Sequence, residues 1–366
     1  MSRRTSIVGV VVSAVVLVLT VAAATGIGPS VPGPPVRSWL GLGEPPLPDL
    51  CAFDPKAVLD PPGQPGPGSW IRQPDSPTPS PEPGAVALGG YVYLVGGQLR
   101  AGTESTVLRF DPRSGEYRRE PDAPVAIDHP IVTAHDGEVI LASGYIDGAV
   151  STPRMWAYSP RSRRWRELPS MNTSRGAAAG AAIGDKLYVA GGVFEFGNEY
   201  QPYDFLEIYD FKTRQWHDGP DMPTARHHFG VAVVGGKLYA VGGRQPRDES
   251  LTAFEVFDPK QNRWHRLPPV PVGTGSPGVT AIDGKVVVTG GGNEVTDPDE
   301  RGWLLRAAYA YDPQTRRWSR LPDMGRARHG HVAVGVDQSV YVFRGAPCPG
   351  YGEMASVESL PASEVR

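Results

Sequence analysis

The sequence has no large excess of charge of either sign and lacks the short motifs that mark many enzyme classes. Its 366 residues carry a formal net charge of −3, with a pI near 6.3, whereas a protein that binds nucleic acid presents a strongly basic face to the phosphates. It contains no phosphate loop, no Gly-x-Ser-x-Gly and no His-Glu-x-x-His. We therefore expect no nucleic-acid partner and no cofactor.

Aromatic residues are also few, at 9% of the chain, while glycine and proline are abundant, at 45 and 39 residues. Glycine adopts positive φ readily and proline fixes φ, so both residues favour tight turns. Many short strands joined by such turns have this composition. The composition predicts an all-β fold.

A long apolar run occurs near the N-terminus. Arg3 and Arg4 precede an apolar stretch, residues 7–27, that has about the length needed to cross a bilayer as a helix. Basic residues before such a span place its N-terminus in the cytoplasm and the rest of the chain outside. Residues 1–28 are therefore predicted to be a signal anchor that holds a single-pass protein in the cell membrane. The alternative is a signal peptide cleaved near Ala22–Ala24 and a secreted protein.

The next segment, residues 29–68, is rich in proline and glycine and poor in large apolar side chains. Such a segment stays extended and does not pack into a core. It is predicted to be a linker that separates the membrane from a folded domain formed by residues 69–366.

Six related hairpin sequences recur in this domain, each with an apolar strand followed by a glycine pair or its variant. They end at Gly97, Gly144, Gly192, Gly243, Gly291 and Gly345. The intervals are 47, 48, 51, 48 and 54 residues, which is the period of a repeat architecture. The sequence therefore predicts six copies of one structural unit.

After each of the first five glycine pairs, a second strand pattern is followed by a turn and then by an aromatic residue. Examples are Phe257-Asp258-Pro259, followed by Trp264, and Tyr311-Asp312-Pro313, followed by Trp318. The glycine pair, the aromatic before Asp-Pro and the later tryptophan resemble the kelch repeat, over residues 70 to about 360. The resemblance implies a β-propeller with one four-stranded antiparallel blade per repeat, in which this tryptophan packs between blades.

The two ends of the repeat region predict how the propeller closes. The last repeat ends after a third strand near Leu360, whereas Ser69–Arg72 precedes the first glycine pair as fourth strands do elsewhere. Pairing these segments removes exposed sheet edges. We therefore expect a six-bladed propeller whose last blade is closed by an N-terminal strand.

The only two cysteines are Cys51 and Cys348. Ring closure brings both segments toward the sixth blade, and a disulfide is chemically allowed outside the cytoplasm. A Cys51–Cys348 disulfide is therefore predicted, with two unrelated free thiols as the alternative.

An arginine recurs in the segment that leads into the first strand of a blade. Arg175, Arg226 and Arg328 each lie sixteen residues before the first position of a glycine pair. In kelch domains that bind acidic peptides, this position resembles that of an arginine that grips carboxylates. We expect the three to bind an anionic ligand at the channel mouth; the alternative is that each braces the neighbouring blade.

In a four-stranded antiparallel blade, the loops between second and third strands emerge on the same face as the segments that enter the first strands. They therefore lie on the face of the three arginines. Those of blades three and five are long and carry Tyr200, Tyr203 and Trp303, which suit recognition of a peptide or a sugar. Ordinary variation in loop length is the alternative. His227 and His329, which follow two of the repeated arginines, are added to the predicted ligand-binding residues.

No metal site is expected, because the histidines come from different blades without ligand spacing. An oxidase of the galactose-oxidase type, which resembles this fold, is disfavoured because no adjacent Tyr-His occurs.

These features predict a module that binds a protein or anionic glycan of the cell envelope rather than an enzyme. The alternative is a carbohydrate-active enzyme that resembles the six-bladed kelch sialic-acid mutarotases, with the arginines holding a sugar carboxylate near Glu195 or Glu199.

Overall fold

The computed structural model describes residues 65–365, except residues 67, 148–149, 197–198, 246–248, 294–301 and 350–351. The predicted signal segment, residues 1–28, and Cys51 lie outside the described residues, as does most of the predicted linker. Among the described residues, no helix has the length and apolar character required to span a bilayer. The domain boundaries and the membrane anchor therefore stay predictions.

The described chain forms six antiparallel sheets of four strands each, which confirms the predicted six-bladed propeller. We number the blades 1 to 6 along the chain, and the strands of each blade from the axis outward. The first strands of neighbouring blades contact one another around the ring, so they line the central channel. The first strands are Gly84–Leu88, Ile131–His135, Ala179–Ile183, Gly230–Val234, Gly278–Ile282 and Val332–Val336.

The second strands are apolar over most of their length, because neighbouring blades cover both of their faces. They are Tyr91–Val95, Glu138–Ala142, Lys186–Ala190, Lys237–Val241, Lys285–Thr289 and Ser339–Phe343. The third strands are Val107–Asp111, Met155–Ser159, Leu206–Asp210, Phe254–Asp258, Ala308–Asp312 and Val357–Pro361.

The fourth strands are the outermost and most exposed, with charged residues alternating with the aromatic of the repeat. They are Glu116–Glu120, Arg164–Leu168, Gln215–Asp218, Arg263–Arg266, Arg317–Arg320 and, in blade 6, Ile71–Gln73. A 3₁₀ helix, Ala362–Glu364, follows the last strand.

The ring closes as the sequence predicts. Ile71–Gln73 pairs antiparallel with Val357–Pro361, and Ile71 lies opposite Ser359. The fourth strand of blade 6 thus comes from the segment that precedes blade 1, and the pairing covers the edge that the last repeat would otherwise expose.

The apolar core lies between the blades rather than at the axis. Each junction between neighbouring blades has its own cluster; at the junction of blades 3 and 4, Leu206 and Ile208 share one with Leu238 and Phe257. A single blade therefore cannot bury its faces without its neighbours.

The glycine pair allows two blades to approach closely. The second glycine donates its N–H to a carbonyl in the segment that leads into the next blade, as Gly192 does to Arg226 O at 3.0 Å. The first glycine of this pair, Gly191, has φ of 57°, and a Cβ there would lie 2.6 Å from the same oxygen. Both the close approach and the left-handed backbone favour glycine at this point.

The aromatic residue of the repeat links each blade to the one before it by a hydrogen bond. The indole Nε1–H of Trp264 in blade 4 donates to Pro220 O, just after the fourth strand of blade 3, at 3.0 Å. The other blades make the same bond, through Tyr117 to Pro74, Trp165 to Pro121, Trp216 to Pro169, Trp318 to Pro268 and Trp70 to Pro322. These residues are thus inter-blade contacts, as the repeat implied.

Short hairpins join second to third strands in blades 1 to 5, on the face where the first strands begin. Isolated β-bridges, such as that of His227 with Arg244, connect the start of a hairpin to the segment that leads into a first strand. We call this side the hairpin face. Its hairpins pair Gln98–Leu99 with Gly102–Thr103, Tyr145–Ile146 with Val150–Ser151, Val193–Phe196 with Glu199–Pro202, Arg244–Gln245 with Glu249–Ser250, and Gly292–Asn293 with Trp303–Leu304.

Candidate functional site

Six equivalent residues, one from each blade, surround the channel two positions before the first strand begins. All have positive φ, between 45° and 58°. We call them the axial ring: Glu82, His129, Ala177, His228, Ser276 and Gly330. Their backbones are joined from blade to blade, since His129 N donates to Glu82 O at 2.9 Å and Ser276 N to His228 O at 2.8 Å. The left-handed backbone holds each member close to the ring residues of adjoining blades.

The axial ring and the first strands line a cavity of about 180 Å³. Most of the lining is small or apolar, contributed by alanine, glycine, valine and proline. Three polar side chains of the axial ring, those of Glu82, His129 and His228, meet at one place in this lining. A concave site with a few convergent polar groups is the usual form of a ligand site.

The three polar side chains of the ring are in direct contact. Nε2 of His129 lies 3.0 Å from Nε2 of His228 and 3.5 Å from Oε2 of Glu82. The side chains of His129 and Glu82 are 12% and 16% exposed. Candidate ligand atoms of all three lie within 4.8 Å of one another. Blades 1, 2 and 4 thus contribute to one cluster.

Further polar groups lie behind the two imidazoles. Nδ1 of His129 lies 2.6 Å from Oδ1 of Asp128, which is 2% exposed, and His227 contacts His228 through their Nδ1 atoms. An ionised carboxylate only accepts hydrogen bonds, so Nδ1 of His129 donates to Asp128, and Nε2 is the ring nitrogen that faces His228 and Glu82. The buried neighbours therefore orient both rings.

The three predicted arginines lie elsewhere and do not reach the cavity surface. Arg175, Arg226 and Arg328 are each 0% exposed. Each forms an ion pair with a buried glutamate of its own blade: Arg175 with Glu207, Arg226 with Glu255, and Arg328 with Glu358. The expectation that they present guanidinium groups to a ligand does not agree with this burial.

The arginines instead connect the leading segment to the inner strands of the same blade. Arg328 donates from Nη1 to Arg344 O and Ser356 O, both at 3.0 Å. Burial lowers the pKa of Arg226 and Arg328 to about 10, so both stay charged at neutral pH. The bracing interpretation fits this geometry, although the braced elements belong to the arginine's own blade.

A fourth buried ion pair crosses the closure. Arg344 occupies the first glycine position of blade 6 and pairs with Glu104 of blade 1 at 3.1 Å. It also donates to Ser80 Oγ at 2.8 Å, and Ser80 is the blade 1 equivalent of the three arginines. The cation that blade 1 lacks in its leading segment is thus supplied by its neighbour.

Comparison with known proteins identifies the repeat. The sequence matches the KLHDC2/KLHL20/DRC7 Kelch-repeats domain over residues 83–291 and 173–345. The chain belongs to the kelch-repeat family.

Kelch proteins of several kingdoms are similar to this chain. Kelch-like protein 36 of Mus musculus is 26% identical over 270 residues, which cover 71% of this chain and 43% of the relative. A putative F-box/kelch-repeat protein of Arabidopsis thaliana is 38% identical over 104 residues, 27% of this chain and 40% of the relative. The chain spans less than half the length of these curated relatives.

The solved structure of YjhT has the same fold. It superposes with a TM-score of 0.66 at 16% identity, over 78% of this chain and 96% of YjhT. At this identity the likeness concerns the fold alone.

The other predicted site residues of this kelch propeller are scattered. Tyr203 is half-buried and contacts Phe205 in a tilted ring pair, with 4.3 Å between ring centroids. Trp303 is half-buried in the blade 5 hairpin. His329 is 2% exposed and donates to Cys348 O at 2.9 Å. The side chain of Tyr200 lies outside the described residues, as do those of Glu195 and Glu199.

Of the predicted site residues whose side chains the structure describes, only His227 lies beside the Glu82–His129–His228 cluster, and it is 0% exposed. Sequence reasoning missed the cluster itself and expected no metal site. Alignment of the six repeats could have indicated this cluster, since Glu82, His129 and His228 occupy equivalent positions in their repeats. Cys348 is 2% exposed, and no free thiol is found among the described residues; its predicted partner, Cys51, lies outside them.

Proposed function

We propose that this kelch propeller is a protein-interaction module that binds its partner with the hairpin face. The observation that carries the proposal is the position of exposed apolar side chains. Among the described residues, three large apolar side chains are exposed: Ile71, Val150 and Phe194. Val150 and Phe194, at 58% and 42% exposed, lie on the neighbouring hairpins of blades 2 and 3.

Apolar side chains that project from adjoining loops on one face suit a protein partner. The kelch-like relatives support the same class of function. The anionic ligand and the sugar-processing alternative both depended on Arg175, Arg226 and Arg328, and their burial removes that support. We therefore propose a protein partner rather than a glycan.

Display outside the cytoplasm remains part of the proposal, supported by the apolar stretch 7–27 behind Arg3 and Arg4. Protease treatment of intact producing cells tests it, with the full-length protein carrying a C-terminal tag. Loss of the tag from intact cells is expected. A tag that is protected until the cells are lysed would contradict the external location.

The binding face is tested by photocrosslinking in the producing cell, with a photoreactive amino acid at position 194 or at position 260. Lys260 is exposed in a turn between third and fourth strands, on the opposite face. We expect a discrete protein adduct from position 194 that disappears when Val150→Asp is added. Equal adducts from both positions, or no adduct from 194, would contradict the proposal.

A further inference from the structure

We propose that Glu82, His129 and His228 form a binding site for one divalent transition-metal ion, of the Zn²⁺ class, on the axis of the propeller. The three residues occupy the axial-ring positions of blades 1, 2 and 4, so the closed ring rather than any local sequence motif assembles the site.

The separations between the donor atoms fit such an ion. Bonds of 2.0–2.1 Å to a tetrahedral metal place two ligand atoms about 3.3 Å apart. Nε2 of His129 lies 3.0 Å from Nε2 of His228 and 3.5 Å from the carboxylate of Glu82. Small rotations of these side chains would bring the donors to bonding distance of a shared ion.

The donor set selects the class of metal. Two imidazole nitrogens and one carboxylate oxygen suit zinc, which binds two His and one Glu in sites with an open fourth position. Calcium and magnesium prefer ligand sets made of oxygen. Among the described residues, the group comprises only these three ligands, and all three line the cavity. A water molecule or a donor from a bound partner would therefore complete the coordination.

The groups behind the ligands have the arrangement found around metal-binding histidines. Asp128 accepts from Nδ1 of His129 at 2.6 Å, so Nε2 is the nitrogen of this ring that faces the site. The second carboxylate oxygen of Asp128 is buried without a protein partner. Asp128 and Glu82 thus place two carboxylates beside the site. Their two negative charges would balance the two positive charges of a divalent ion.

Metal titration of the full-length purified protein tests this proposal. After treatment with a chelator, Zn²⁺ binding is measured by calorimetry, and Co²⁺ is used as a probe whose visible spectrum reports tetrahedral coordination. We expect one ion per chain and a tetrahedral Co²⁺ spectrum. Affinity should fall by about 10- to 100-fold in Asp128→Asn, as for loss of other groups behind metal ligands.

Ligand variants are chosen so that the backbone tolerates them. His129 and His228 have φ of 50° and 51°, and asparagine is among the residues that best accept this conformation. His129→Asn, His228→Asn and Glu82→Gln should therefore fold and lose more affinity than Asp128→Asn. His217→Ala, which removes an exposed histidine of blade 3, is the matched control and should bind as the unmodified protein does.

Two results would overturn the proposal. One is the absence of stoichiometric Zn²⁺ binding by the unmodified protein. The other is binding by the folded His129→Asn and His228→Asn variants that is as tight as that of His217→Ala. Circular dichroism establishes folding of each variant, and Glu82→Gln decides the matter if either histidine variant does not fold.

Discussion

At the scale of single residues, Glu255 is approached by two arginines in different surroundings. Arg226 is 0% exposed and lies 2.8 Å from the carboxylate, whereas the Arg266 side chain is 74% exposed and 3.9 Å away. Arg226→Ala leaves a buried carboxylate without its charge partner, which should cost about 3–5 kcal/mol in the free energy of unfolding. Arg266→Ala removes an exposed pair and should cost less than about 1 kcal/mol. Urea denaturation measures both, and similar values for the two variants would show that Arg226 is not a brace.

His331 gives the fold a dependence on acid. Burial lowers the pKa of His331 well below its usual value, and its Nε2 lies 2.8 Å from Thr289 Oγ1. The unfolded chain takes up a proton near pH 6.5 while the folded protein does not, so stability falls as the pH drops below about 6.5. His331→Gln should flatten this part of the profile of unfolding free energy against pH. His217→Gln, at an exposed position, should leave the profile unchanged; if it flattens the profile as much, the assignment to His331 is wrong.

At the scale of the element, each blade depends on the hydrogen bond from its aromatic residue to the previous blade. Trp264 is 7% exposed and bonds to Pro220 O. Trp264→Phe keeps most of the ring volume and removes the donor, which should cost about 0.5–1.5 kcal/mol because the half-buried carbonyl of Pro220 loses its partner. Trp264→Ala also leaves a cavity and should cost about 3–5 kcal/mol. Equal melting temperatures for Trp264→Phe and the unmodified protein would show that the hydrogen bond does not contribute.

The blades were predictable because their pattern repeats, whereas the site was not. Six glycine pairs in register and the aromatic slots determine strands, faces and blade number, and Ser69–Arg72 indicated the closure. Strand parity places Arg175 on a face but does not say whether its side chain turns to the channel or into the blade. That choice depends on Glu207, 32 residues away in a strand of the same blade.

The meeting of His129 and His228, 99 residues apart, depends on ring geometry and on positive φ at non-glycine positions. No local pattern in the sequence specifies either property. The repeat register aligns the two histidines, but only the closed propeller shows how near the axis their side chains lie.

At the scale of the whole molecule, closure rests on the short strand Ile71–Gln73 and its pairing with Val357–Pro361. Deletion of residues 69–73 removes this strand and the Trp70 bond to Pro322 O and exposes sheet edges. We expect the melting temperature to fall by roughly 5–10 °C or more, as a loss of several kcal/mol requires. Ile71→Ser, which changes a 51% exposed side chain and keeps the backbone pairing, is the control. A deletion variant with the same melting temperature as Ile71→Ser would contradict the role of this strand in closure.

A Cys51–Cys348 disulfide would add a covalent link to this closure. In protein produced in an oxidising compartment, peptide mapping without reduction should recover the two cysteines as one linked pair. Cys348→Ser keeps the carbonyl to which His329 donates but buries a hydroxyl. The lost link, about 3–5 kcal/mol on the chain-entropy model, is therefore the part of its destabilisation relative to the unmodified protein that disappears when both are measured with a reductant. Two free thiols in the mapped peptides would show that the prediction is wrong.

The axial ring also determines how the propeller opens. His129, Ser276 and Gly330 donate their backbone N–H groups to ring members of other blades, at distances of 2.8–3.0 Å, so none of these amides can exchange with solvent while its blade stays in place. Exchange at the rim needs only local fraying, but exchange at the axis needs blades to separate. In deuterated solvent, the ring amides should therefore exchange last and together, at the rate of global unfolding, and the slowest-exchanging amides should mark the axis.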